Sequence, residues 1–88
     1  MEFDRLKELI QKSFRMAIIK RDLFKLTKAV LEEAQVKIND ELLIKIINKI
    51  PPERFEVFEK ERDNEEKYLE EMKSLAEEIL RKYLEHVF

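Results

Sequence analysis

The sequence predicts an all-α fold: a small domain of four helices with a long C-terminal helix, associating into a helical-bundle dimer. Three observations carry this expectation. Apolar residues recur at helical spacing along most of the chain. Glycine is absent, and the only prolines are the adjacent Pro51 and Pro52, so one strong breaker interrupts the pattern. The one isoleucine-rich segment, residues 41–50, lacks the strict alternation of a half-buried strand.

At 100° per residue, Phe3, Leu6, Leu9, Ile10, Phe14, Met16 and Ala17 share one broad face. Asp4, Arg5, Glu8, Lys12 and Arg15 share the opposite face, so residues 3–19 read as an amphipathic helix. Residues 23–35 carry a second clean face of Leu23, Phe24, Leu26, Thr27, Val30, Leu31 and Ala34. The two faces differ in phase, and the change falls at Lys20-Arg21-Asp22. Asp22 has the chemistry of an N-cap, since its carboxylate can accept from a free N–H one turn on. A short turn at residues 20–22 is therefore expected.

Residues 36–40 read as a connector. Asn39 suits the N-cap of a third helix, with Asp40 and Glu41 in the first turn, where the helix dipole favours negative charge. Ile38 and Leu43 have the spacing of a hydrophobic staple. The helix that follows is apolar round most of its circumference and should be central. Leu31, Leu42, Leu43, Ile46, Ile47 and Ile50 are expected among the most buried positions. Pro51 then drives Ile50 out of the helical region, and Pro52 suits the start of the next helix.

Within the single domain 1–88, residues 1–50 form the short-helix core and residues 53–88 a long, acidic C-terminal helix. Phe55, Val57 and Phe58 keep the same phase as Tyr68, Leu69, Met72, Leu75, Ala76, Ile79, Leu80, Tyr83 and Val87. That continuity predicts one helix from 53 to 88. A competing signal is the capping-box spacing of Asp63 and Glu66, which would restart the helix near residue 64. An unbroken helix of this length spans about 54 Å, whereas a compact chain of this size has a diameter near 30 Å. The stripe of Tyr68, Met72, Leu75, Ile79 and Tyr83 would then need covering, and a second copy is the simplest cover. These five residues are the candidate interface. The competing structure is a monomeric four-helix bundle with the chain folded back near Asp63.

Charge and composition narrow the function classes. Charged residues make up 43% of the chain, against roughly a quarter in an average protein. Lysine plus glutamate account for 28 residues and asparagine plus glutamine for five. This balance is reported for proteins from very hot environments and is shared by any highly charged helical protein. Without glycine there is no phosphate-cradling loop, dinucleotide fingerprint or strained nucleophile elbow. Without cysteine there is no disulfide, thiolate metal site or cysteine nucleophile. No cofactor and no catalytic or metal-ligating set is expected. His86 lacks a second ligand at helical spacing, and the glutamate doublets at 65–66, 70–71 and 77–78 mostly lie off the apolar face. The apolar runs are too short to span a membrane, and the first ten residues lack an apolar signal core, so a cytoplasmic location is expected.

One basic segment remains. Lys12, Arg15, Lys20, Arg21, Lys25 and Lys28 face only Asp22 as a local acid, and Lys20, Arg21, Lys25 and Lys28 are the candidate phosphate contacts. Residues 53–88 hold twelve acids and seven bases, a net of −5, so the basic segment reads first as balance for an acidic partner segment. A helix-turn-helix overlay fails because its recognition helix would begin Asp40-Glu41 and continue almost wholly apolar. The expected role is non-enzymatic: a protein–protein interaction or assembly module that self-associates through its C-terminal helix. The alternative is a nucleic-acid-binding or regulatory protein using residues 12–28.

Overall fold

The chain is described here by a computed structural model covering residues 2–87; Met1 and Phe88, the ends of the expected domain, lie outside the described residues. The elements are α1 (Phe3–Glu33), α2 (Asp40–Asn48), a 3-10 turn (Pro52–Phe55) running into α3 (Glu56–Lys60), and α4 (Glu65–Val87). No strand occurs among the described residues, so the fold is all-α with four helices, as the periodicity predicts.

The expected turn at residues 20–22 is absent: α1 is one helix of 31 residues. Lys20, Arg21 and Leu23 are all good helix formers, and no glycine or proline interrupts them. Asp22 lies within the helix and meets Arg21 at 3.5 Å instead of capping. The phase change is real but has another meaning. The ridge Ile19, Leu23, Thr27 and Leu31 is buried in the core, whereas every residue from Glu2 to Phe14 is exposed. An unbroken helix thus turns its two apolar faces towards two different places.

Where α1 ends, the chain reverses through a Schellman motif. Val36 N–H bonds to the Leu31 carbonyl at 3.0 Å and Gln35 N–H to that of Glu32 at 3.1 Å. Gln35 sits at φ 59°, the left-handed conformation this motif usually gives to glycine. A side chain there costs about 1 kcal/mol, part of which glycine returns through its larger unfolded-state entropy. Gln35→Gly is therefore expected to stabilise the fold by about 0.5 kcal/mol and raise Tm by a few degrees. An unchanged or lower Tm in a thermal melt contradicts this.

Asn39 caps α2 as expected, its side-chain oxygen accepting from Leu42 N–H at 3.2 Å. Lys28 reaches Asp40 at 3.4 Å at the start of α2, and Lys20 reaches Asn48 at 3.5 Å at its end. The helix α2 therefore runs antiparallel to α1. Leu31, Leu43, Ile46 and Ile47 are buried as expected, while Leu42 and Ile50 are half-buried at the margin of the same core.

The expected single helix over 53–88 is broken at residues 61–64. Asn64, the neighbour of the expected Asp63, starts α4: its side-chain oxygen accepts from Lys67 N–H at 3.2 Å. The rings of Phe58 and Tyr68 meet edge to face at 5.0 Å, where a straight helix would separate the two residues by about 15 Å. Packing the half-buried Tyr68 ring against the buried Phe58 offsets the few helical hydrogen bonds lost at the break. Folded back in this way, α4 runs beside α1 in the same direction, with Tyr68 near Arg15 and Met16 and Tyr83 near the loop that follows α1. The core is the junction of α1, α2 and α4, closed at one end by Phe55 and Phe58.

Candidate functional site: an uncovered helical arm

The structure places the five candidate interface residues in or against the chain's own core. Leu75, Ile79 and Tyr83 are fully buried there, and Tyr68 and Met72 pack half-buried at its edge. The surface that covers the stripe is supplied by α1, α2 and Phe58 of the same chain, and the large apolar residues α4 leaves exposed are Leu69, Leu84 and Val87. The Tyr83 hydroxyl donates to the Lys37 carbonyl at 2.6 Å and accepts from Asn39 N–H at 2.8 Å. It clasps the end of α4 to the loop between α1 and α2. Removing it in Tyr83→Phe strands both backbone groups, and a loss of about 1–3 kcal/mol in denaturant unfolding is expected. A loss below the error of the measurement would show that water replaces the hydroxyl without cost.

The basic candidates do not form one patch. Lys20 bonds to Asn48 and lies 5.7 Å from the Phe55 ring centre; Lys28 pairs with Asp40 and lies 5.5 Å from that of Phe24. Arg21 and Lys25 are exposed on the outer side of α1. Arg15 pairs with Glu59, and beside them α1, the 3-10 turn, α3 and Tyr68 line an apolar cavity of about 180 Å³. His86 is exposed, and among the described residues no group of three His, Cys, Asp or Glu side chains is placed to hold a metal ion. No helix among the described residues is long and apolar enough to cross a membrane.

What stands uncovered is the start of α1. Phe3, Ile10 and Phe14 are 68%, 66% and 65% exposed, with Leu6 and Leu9 exposed beside them. Lys7 leans over the Phe3 ring at 5.1 Å without hiding it. The stripe leaves roughly 600 Å² of apolar surface in water, at the upper end of what a lone soluble domain exposes. Its direction explains why. At 100° per residue Phe3, Ile10 and Phe14 lie about 140° round the helix from the buried ridge of residues 19–31, whereas Leu9 shares the ridge's side and is exposed because the body does not reach that far along α1.

The overall dimensions agree. The radius of gyration is 14.7 Å, against about 12 Å for a compact chain of this length. The longest extent, 48 Å, matches α1, which at 1.5 Å per residue measures about 46 Å. The first three turns of α1 are thus an arm standing clear of the body. Sequence reasoning had the stripe but read it as a core face; the signal for the arm was the phase change without a breaker. Comparison of the chain with protein-family models, with curated proteins and with solved structures finds no match to any of them.

Proposed function

We propose that this protein is a non-enzymatic assembly module that self-associates through the exposed arm of α1. One observation carries the reading: a stripe of five large apolar residues held in water on a helix whose other half is anchored in a packed core. Large exposed apolar patches mark interaction surfaces in soluble proteins. Self-association was first expected of α4, because its stripe looked uncovered. With Leu75, Ile79 and Tyr83 inside the chain, the arm takes that role.

The energetics support a partner as well. A helical segment of about a dozen residues is marginal in water without packing. The arm has its attachment to the rest of α1, the Lys7–Phe3 contact and opposite charges at i, i+4 spacing such as Glu8 and Lys12, a spacing worth only about 0.2–0.5 kcal/mol. Docking would bury the stripe and consolidate the helix together. Sedimentation equilibrium at two concentrations tests the reading: the mass should rise from one chain towards two or more. A chain that stays monomeric at high concentration removes self-association.

A further inference from the structure

We propose that the arm docks on the arm of a second copy, antiparallel and two-fold symmetric, with Ile10 of each copy beside the axis. This rests on the self-association reading above and adds the partner's orientation and register.

The outward residues of α1 are Phe3, Leu6, Ile10, Phe14 and Ala17, all exposed and all within an arc of about 80°. Their spacing is three, four, four and three residues, which reads the same in both directions about Ile10. A two-fold interface must complement itself, so residue i on one copy meets j while j meets i. Antiparallel pairing about Ile10 satisfies this and matches large groups to small: Phe3 falls opposite the partner's Ala17, Leu6 opposite the partner's Phe14, and Ile10 opposite its own counterpart. On one flank Leu9 comes beside the partner's Leu9. On the other, Gln11 comes beside the partner's Gln11, and both amides can bond.

Parallel pairing fails on charge. Beyond Ala17 the same outward line carries the exposed Arg21 and Lys25, whereas Lys28 on it is turned to Asp40. Two copies side by side in the same direction would bring two cations against two, and like charges in register repel. The antiparallel overlap of residues 3–17 carries them past the partner's stripe and sets the two bodies at opposite ends. Complete burial of two stripes of roughly 600 Å² would remove at most about 1,200 Å² together, the low end for a specific interface.

The chain contains no cysteine, so introduced thiols report without interference. Under mild oxidation, Ile10→Cys should give covalent dimers. A mixture of Phe3→Cys and Ala17→Cys chains should cross-link at least tenfold more than Phe3→Cys alone. Antiparallel pairing holds two Phe3 positions about 21 Å apart, against the 7 Å or less that a disulfide needs between Cα atoms. Covalent dimers from Phe3→Cys alone, with none in excess from the mixture, would establish parallel arms and overturn the proposal. A chain that sediments as an oligomer yet links at none of these positions would also overturn it while leaving self-association intact. A chain that sediments as a monomer removes self-association itself.

Discussion

Met72→Glu combined with Ile79→Glu is expected to unfold the chain outright. Ile79 is 1% exposed, at the centre of the ridge that α4 packs against α1 and α2. A carboxylate there must either stay charged without a partner or take up a proton, and both cost several kcal/mol. Total stability for 88 residues is only about 4–13 kcal/mol, so the pair of changes should exhaust it. Circular dichroism should show most of the helical signal gone and no cooperative melt. Leu84→Glu, at an exposed position of the same helix, serves as control and should melt like the parent. If the double variant kept a cooperative melt, α4 would not be part of the body's core, and its stripe would again be free for a partner chain.

Ile10→Glu combined with Phe14→Glu should do the opposite: leave the body folded and separate the copies. Both side chains are exposed by about two-thirds, so neither charge is buried within the chain. In the assembled state both would be, at the middle of the paired stripes. Loss of two central apolar contacts, with four carboxylates brought together, should raise the dissociation constant at least a hundredfold, about 2.7 kcal/mol. The helical signal should fall by no more than the arm's share, while the melt of the body measured at high dilution stays unchanged. Association equal to that of the parent would move the interface elsewhere on the molecule.

The sequence disclosed local signals better than it disclosed what each helix faces. Asn39 as a cap and the stop at Pro51-Pro52 were legible because each depends on a few neighbouring residues. So was α2 as a helix, although it buries only the face of Leu43, Ile46 and Ile47 and leaves Ile44 exposed instead of lying at the centre. The break at residues 61–64 was harder to read. The phase of Phe58 and Tyr68 agrees on a helical wheel across it, so periodicity alone favours continuity. The cap at Asn64 is a weak local preference, decided by packing the two rings together. The turn expected at Asp22 failed for a related reason. A wheel shows that an apolar face changes direction, but it does not distinguish a bent chain facing one core from a straight helix facing two surfaces. Phe3 to Phe14 therefore looked like core, and only the position of α2 and α4 along the far half of α1 shows that no other element among the described residues covers them.

The continuity of α1 has a mechanical consequence. A turn at residues 20–22 would have been a swivel, letting the body wander relative to anything held by the first three turns. Because the backbone hydrogen bonds run unbroken from arm to body, the two share one axis, and the helix that docking consolidates would be stiff over its whole length. Docking would therefore fix the orientation of the body at the same moment as it fixes the position of the arm. The same stiffness makes the distance between bodies a fixed property of the helix. A module built this way would work as a ruler as much as a clasp, setting both the spacing and the mutual angle of what it joins.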